Sequence, residues 1–435
     1  MNLRQIIQSL IAVKQKELPF QVLPRELELP LNSGKIITIP GVRRCGKSSL
    51  MMLAINKLIT NGVRREQILW IGFDDERLYD MQTQNLDDVI QAYMEMYPDI
   101  PIDSVYMFFD EIQLIKGWEL FILRLFKTYC KNIFVSGSNA QMLSEELATA
   151  LRGWPLEYEE FPLSFREFCQ FKGIETDIYT ESGRAKLKVT FKEYNSGSAF
   201  PEVVLQKEQS IKDRELQAYF NTMLFRDLIE HYGLNNPTTV RYFLKRVMSN
   251  LTKPTSINSI FNDLKSQGIK VAKDTLYEVL DHACSVFLFF KVPKYTASIV
   301  RENNSLSKYY VIDNGIRSSI LLPQSGDEGK LLENLVYLHL RRKKKINEKI
   351  YYYKGEKECD FIVQTEDEIS SLIQVTWLLD DHNIAREVGG ISEAAKATGC
   401  RNCLIVTYEQ EKIIETEGLS VAVVPAWKWL LQEER

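Results

Sequence analysis

Short, unbroken apolar runs recur through the first third of the chain: Ile36-Ile37-Thr38-Ile39, Ile68-Leu69-Trp70-Ile71, Val105-Tyr106-Met107-Phe108-Phe109 and Ile133-Phe134-Val135. Runs of this length without polar alternation predict strands buried on both faces, as in a parallel sheet covered by helices. Ser49 to Ile59 has helix-length apolar content between the first two runs. The first twenty residues interleave Gln, Arg and Lys with apolar positions, which predicts a short amphipathic helix packed on this α/β domain rather than a secretory leader. After Leu156-Glu157-Tyr158-Glu159-Glu160 the buried-strand pattern fades and helical patterns dominate, with a polar connector at Tyr194 to Ser198. From Asn250 the pattern predicts a helix starting at Ser256, a turn near Gly268, a second helix from Lys273 and a hairpin-like run around Phe287 to Phe290. That is the cadence of a helix-turn-helix with a wing. Strand patterns return at Glu358 to Val363, at Gln374 to Thr376 and at Leu404 to Thr407. The expected domains are therefore residues 1–175, 176–325 with a winged module at about 250–300, and 326–435.

The residues that end the strands carry the chemistry. Directly after the first strand stands GVRRCGKS, a G-x-x-x-x-G-K-[ST] phosphate loop. Glycines let the backbone wrap closely around phosphate oxygens, and the amides from Gly41, Val42, Arg43, Arg44, Cys45 and Gly46 to Lys47, Ser48 and Ser49 are the expected nucleotide contacts. Lys47 is placed to neutralise β/γ-phosphate charge and Ser48 to give a hydroxyl to Mg²⁺. The third run closes on Asp110 and Glu111, a Walker B pattern: Asp110 for the Mg²⁺ shell, Glu111 to orient or deprotonate the attacking water. The fourth run ends in Ser136-Gly137-Ser138-Asn139, where Ser138 and Asn139 are candidates to sense the γ-phosphate or the water, although the same residues suit an ordinary loop. Cys45 inside the loop fits either accidental occupancy of a variable position or an oxidation-sensitive site.

Composition narrows the class. The 435 residues are 45% hydrophobic and 26% charged, globular values, and no apolar run reaches the roughly eighteen residues that span a bilayer. Seven scattered cysteines fit a reducing compartment and a cytoplasmic location. Cys400 and Cys403 form the one C-x-x-C, without the further ligands a zinc site needs. It reads as the entry to a buried strand. A net charge of −4 and pI near 5.8 argue against a uniformly DNA-coating protein. Local patches remain open to it: Lys270, Lys273 and Lys291 in the winged segment, and Arg341-Arg342-Lys343-Lys344-Lys345 at the end of a helix expected to start near Lys330. Cations at a helix C-terminus are also favourable on dipole grounds alone.

With GVRRCGKS, FDDER from Phe73, FFDEIQ from Phe108, SGSN, FPLSFREF from Phe161, FPEVV from Phe200, YYVIDNGI from Tyr309, LLENLVYLHL from Leu331, CDFIV from Cys359 and a late VVPAWKWLL, the chain resembles, over nearly its whole length, the prokaryotic AAA-type P-loop ATPases that carry a C-terminal domain of unknown function. The resemblance implies an α/β fold with an AAA+ type P-loop NTPase parallel-sheet core, a helical, winged-helix-like middle and a C-terminal α/β domain similar to restriction-type nucleases. It also implies ATP, rather than GTP, with Mg²⁺ as cofactor. One departure concerns the family's Gly-Arg before the PLSF string, where this chain has Arg152-Gly153-Trp154. Arg152, Arg43 and Arg44 are candidates, and no finger arginine is assigned.

For the terminal domain, Glu333, Asp360, Gln374 and Thr376 follow the order of a restriction-type nuclease core. There two acids hold Mg²⁺ and a lysine two positions beyond the second acid helps to activate water. Gln374 stands at the second acid and Thr376 at the lysine, so the implied site is degenerate. Asp360 fits equally a buried acid at a strand end. The expected activity is Mg²⁺-dependent ATP hydrolysis coupled to DNA binding or to switching of the terminal domain. The alternatives are a regulatory or partner-assembly switch, in a homo-oligomer or with another protein, and an ATP-gated nuclease.

Overall fold

The computed structural model describes residues 2–138, 153–296, 305–322, 324, 326–416 and 418–432. They form two compact units: Met1–Phe161 with Ser285–Phe287, and Pro162–Cys284 with Leu288–Arg435.

The first unit is built on α1 (Leu3–Lys16), β1 (Ile36–Pro40), α2 (Lys47–Thr60), β2 (Ile68–Gly72), α3 (Leu86–Met96), β3 (Tyr106–Asp110), α4 (Trp118–Thr128), β4 (Ile133–Gly137) and β5 (Pro155–Glu157). The strands lie in the order β2-β3-β4-β1-β5, and every pairing is parallel. The absence of alternation in the apolar runs has its cause here, because both faces of the sheet are covered. Met107 and Phe109 join Ile7 and Ile11 of α1, Val89 and Ile90 of α3 and Ile122 and Leu125 of α4 in one core. Phe108 points the other way, into a second core with Ile37, Ile39, Leu50, Met51, Ile55 and Phe134. Its ring stacks on Phe134 at 4.5 Å between centroids, and a fully buried Phe contributes about 2–3 kcal/mol by burial. The order also puts β4 between β1 and β3. Ile39 pairs with Ser136 and Phe109 with Val135, so Ser136 falls beside Asp110. This parallel core with helices on both faces is a P-loop NTPase fold.

The second unit begins with α5 (Phe165–Phe171), whose Ser164 accepts from the Glu167 amide while Glu167 reaches back to the Ser164 amide, a reciprocal cap within FPLSFREF. Then come α6 (Glu181–Ser196), α7 (Pro201–Leu205), α8 (Gln209–Thr222), a π-helical stretch (Met223–Glu230) and α9 (Pro237–Ser249). Further on are α10 (Ile257–Ser266), capped by Ser256, α11 (Lys273–Ser285), and β6 (Phe289–Val292) antiparallel to β7 (Lys308–Val311). Gly268, between α10 and α11, has φ of 76°, a left-handed conformation glycine adopts without strain. The chain closes with α12 (Asn314–Ile320), α13 (Asp327–Lys343), β8 (Glu348–Lys354), β9 (Glu358–Thr365), β10 (Glu368–Val375), α14 (Ile384–Thr398), β11 (Cys403–Thr407), β12 (Lys412–Thr416), β13 (Leu419–Pro425) and α15 (Ala426–Trp429). Its six-stranded sheet runs β12-β13-β11-β10-β9-β8. The β10–β11 and β11–β13 pairs are parallel and the rest antiparallel, a mixed sheet.

The polar residues of the YYVIDNGI and LLENLVYLHL strings hold this unit together. Asp313 caps α12 and accepts the Ala199 amide. The Asn334 side chain accepts from the Val311 amide and donates to its carbonyl at 2.9 Å each, as a neighbouring strand would. Helix α13 starts at Asp327, a turn before the expected Lys330. Among the described residues no helix is long and apolar enough to cross a membrane.

Candidate nucleotide-binding site

The phosphate loop lies between the end of β1 and the start of α2. Its shape rests on backbone conformations few side chains tolerate: Arg44 at φ 69° and Gly46, the residue before α2, at φ 113°. Gly41 is required by proximity, since a Cβ there would stand 2.3 Å from the Glu160 carbonyl oxygen. Val42 and Cys45 are buried, Arg43, Ser48 and Ser49 half-buried and Arg44 exposed. Lys47 is buried, with its ammonium donating to the carbonyls of Gly41 (3.0 Å) and Val42 (3.2 Å) and lying 3.3 Å from Glu111 Oε1.

The two carboxylates after β3 are held differently. Asp110 accepts from the Ser48 hydroxyl at 2.6 Å and from the Ser136 hydroxyl. Burial pushes its carboxyl above the usual range, against the hydrogen bonds from Ser136 and Ser48. Glu111 sits at φ 51°, and its amide donates to Ser136 Oγ at 3.1 Å. Burial opposes its ionisation as well, but Lys47 and Arg43 overcome it and hold the carboxyl below the usual range. For Lys47 burial works against the charge, and Glu111, Cys45 and Asp110 raise the ammonium above its ordinary value. One small volume therefore holds a buried cation, a carboxylate bonded to the loop serine, and a second carboxylate kept ionised.

Two contributors were not among the sequence candidates. Ser136 bridges Asp110 and the Glu111 amide, although the residues singled out from its strand end were Ser138 and Asn139. Ser138 is buried 3.4 Å from the Gln113 side-chain nitrogen; Asn139 and Arg152 lie outside the described residues. The Gln113 amide nitrogen donates to Glu111 Oε2 at 2.5 Å, while its oxygen is buried without a hydrogen-bond partner. Arg25 is the second surprise. Its guanidinium is 3% exposed and pairs with Glu160, while donating to the Cys45 carbonyl at 2.9 Å and the Phe161 carbonyl at 2.8 Å. It fastens the middle of the phosphate loop to the segment after β5. Cys45 is fully buried and its thiol is pushed up to about 12 by burial, which removes the thiolate that oxidation needs.

The donors suit a magnesium nucleotide. The Ser48 hydroxyl and the Asp110 carboxylate, hydrogen-bonded at 2.6 Å, are hard oxygen donors of the kind Mg²⁺ takes alongside substrate phosphates. Among the described residues no group of three or more His, Cys, Asp or Glu is arranged to hold a metal ion. All seven cysteines are free thiols, and Cys403 opens β11.

In the second unit Glu333, Asp360 and Gln374 come together, but around a residue the sequence did not single out. The Lys308 ammonium lies 3.1 Å from Glu333, 2.9 Å from Glu358 and 3.0 Å from Asp360. The other Asp360 oxygen accepts the Val375 amide at 3.0 Å. Gln374 accepts from the Asp360 amide at 3.2 Å and donates to Glu387 at 2.6 Å. Thr376 gives its hydroxyl to the Leu378 carbonyl. Asp360 is thus not a lone strand-end acid. The basic run is partly engaged within the unit: Arg342 donates to the Pro162 carbonyl at 2.7 Å and Arg341 lies over the Phe290 ring, whereas Lys343 and Lys345 are exposed, as are Lys270, Lys273 and Lys291.

Fold and loop together define an AAA-type P-loop domain with nucleotide-binding features, and residues 33–169 match the family model described as AAA domain. Residues 189–327 match a domain of unknown function, DUF8612. The uncharacterized protein MJ1544 of Methanocaldococcus jannaschii is 32% identical over 421 residues, 94% of this chain and 91% of that protein; the chain belongs to the same family. An uncharacterized protein of Haemophilus influenzae is 29% identical over 400 residues, 91% of this chain and 94% of the relative. Among solved structures, one chain from a structure of Drosophila ORC bound to AT-rich DNA and Cdc6 aligns over 72% of this chain and 92% of its own at 10% identity and a TM-score of 0.21, too slight a likeness to bear on fold or partner.

Proposed function

We propose that the first unit binds ATP with Mg²⁺ and hydrolyses it, and that the cycle switches the state of the second unit. The observation that carries this reading is the 3.3 Å approach of Lys47 to Glu111. The cation fit for the terminal phosphates and the carboxylate fit to act on water meet at one point. Lys47 would neutralise the charge of bound terminal phosphates, and Glu111 beside it would accept a proton from the attacking water. Gln113 supports this, because its unpartnered oxygen beside Glu111 offers the water an acceptor. Ser48 and Asp110 are the residues that hold Mg²⁺, which supplies charge neutralisation at the phosphates. Ser136 positions both carboxylates from behind. Adenine as the base, and a cytoplasmic location, rest on the family resemblance and the seven free thiols.

The downstream reading is DNA contact by the second unit. Helix α10 with its Ser256 cap, the turn at Gly268, helix α11 and the antiparallel β6–β7 pair support a winged-helix module, with Lys270, Lys273 and Lys291 exposed on it. The engagement of Arg341 and Arg342 inside the unit favours a smaller basic surface than the sequence run promised, which keeps a partner-assembly switch as the second reading. Steady-state phosphate release with and without duplex and single-stranded DNA, across salt, separates them. Stimulation by DNA that fades as salt rises supports the first, and turnover indifferent to DNA at every salt concentration supports the second. The terminal domain, read as restriction-nuclease-like, is proposed to lack cleavage chemistry, since Gln374 and Thr376 are uncharged side chains already engaged in hydrogen bonds, with Glu387 and with the Leu378 carbonyl.

A further inference from the structure

The acidic cluster of the second unit is organised around a cation supplied by the chain itself. A lysine ammonium has three donors and no acceptor, and Lys308 meets three carboxylates, Glu333, Glu358 and Asp360, all within 3.1 Å. Its side chain is 1% exposed. Tyr310 closes the Glu333 side by donating to the same carboxylate oxygen at 2.7 Å. The Tyr352 ring lies 5.5 Å from the ammonium, and Lys354 balances Glu358 at 3.3 Å. A nuclease of the restriction type needs a divalent metal between the residues at positions 333 and 360, with an anionic ligand at 374. The residues present do not fit that metal. The ammonium lies within hydrogen-bonding distance of both acids, one Asp360 oxygen is held by the Val375 amide, and the Gln374 side chain bridges Asp360 and Glu387.

We propose that Lys308 is a resident cation that locks this carboxylate cluster closed to divalent metal, and that removing its charge unmasks a latent metal site at Glu333, Glu358 and Asp360. The reason is electrostatic. Three carboxyl groups gathered at one point, Glu333 and Asp360 buried and Glu358 half-buried, repel one another when ionised unless a cation stands among them. Lys308, delivered from β7, fills that role without needing any ion from solution. A metal entering the intact cluster would displace a buried ammonium that has no other carboxylate partner. The neutral Gln374 at the position of a second acid and the lysine from β7 fit together: the cluster carries its own cation and lacks the ligand set that would recruit a metal. This holds whether or not the first unit hydrolyses ATP.

The test uses the full chain without nucleotide and Mn²⁺ as the probe, counting bound ion from the loss of the free-ion paramagnetic resonance signal. Native protein, Asp360→Asn, Lys308→Ala and the double variant are titrated side by side. Native and Asp360→Asn chains should bind the same number of ions. Lys308→Ala should gain one site at least ten-fold tighter than anything native protein shows there, and adding Asp360→Asn should remove it. A folded Lys308→Ala chain with no added site overturns the proposal. So does a native site that vanishes in Asp360→Asn, because lysine and metal would then coexist. If Lys308→Ala does not fold, Lys308→Met keeps the aliphatic stem without the charge, and the native against Asp360→Asn comparison still decides: equal binding supports the lock and unequal binding ends it.

Discussion

Truncating Arg25 should loosen the phosphate loop from behind while leaving every nucleotide-facing residue in place. Its guanidinium is 3% exposed, its partner Glu160 is 2% exposed, and the same fork holds the carbonyls of Cys45 and Phe161. Arg25→Ala takes an ion-pair partner from a buried carboxylate and a donor from two carbonyls. Removing one partner of a buried ion pair costs about 3–5 kcal/mol. For a unit of this size each kcal/mol shifts Tm by roughly 2–4 °C, so thermal unfolding of the first unit should fall by about 6–20 °C. Arg25→Lys restores the charge but not the planar fork and should recover only part of the loss. Arg25→Ala combined with Glu160→Gln should be more stable than the sum of the single effects, with a coupling above about 1 kcal/mol. Calorimetric titration with ATP should show weakened binding in Arg25→Ala, because the Cys45 carbonyl loses its anchor. The reasoning fails if Arg25→Ala unfolds within about 2 °C of the native protein, or if the two sites prove additive.

Three further outcomes are expected. Ser136→Ala removes a hydrogen bond to the Asp110 carboxyl, which must be ionised to serve Mg²⁺, and the acceptor for the Glu111 amide; at about 1.5–3 kcal/mol for a charge-assisted bond, turnover at limiting Mg²⁺ should fall roughly ten- to hundred-fold, and Mg²⁺ titrations of phosphate release would show this. His339 is held well below its usual range by burial and by Arg342 and Lys343. The unfolded chain then binds the extra proton below about pH 6.5, so stability is fully present above that pH and declines as pH falls further, by at most about 1.4 kcal/mol per pH unit; His339→Gln should flatten this slope in denaturant titrations run between pH 7 and 5. Plasmid, linear duplex and single-stranded DNA incubated with native protein and Mg²⁺ or Mn²⁺ should remain intact, and cleavage lost in Asp360→Asn would show that another residue completes the site.

The part of the site that could be read from the sequence is the part in which chemistry is contiguous. Gly41 to Ser48 and Asp110-Glu111 stand where an apolar run stops, so one strand end brings both type and position. The strands themselves were visible because a sheet covered on both faces leaves an uninterrupted apolar run, as Phe108 and Phe109 show by packing into opposite cores. Ser136 was in plain view but unranked, because its importance depends on β4 lying between β1 and β3, a lateral order that no local pattern encodes. Arg25 and Lys308 were invisible for a stronger reason. Arg25 reaches Phe161, 136 residues away, and Lys308 reaches Asp360, 52 away, and a charged residue in a sequence looks the same whether it meets water or a buried partner. Conversely, the five-residue basic run at the end of α13 looked like an open patch, yet its second arginine caps a backbone carbonyl.

The central claim is that Lys47 and Glu111 form a hydrolytic pair, one meeting phosphate charge and the other the water. Its most direct test is to measure ATP binding and steady-state phosphate release on Lys47→Ala and Glu111→Gln in parallel. Lys47→Ala should lose tight ATP binding, whereas Glu111→Gln should keep binding and lose turnover by a hundred-fold or more, in line with general-base catalysis. Native turnover in Glu111→Gln, or tight ATP binding in Lys47→Ala, would contradict the account.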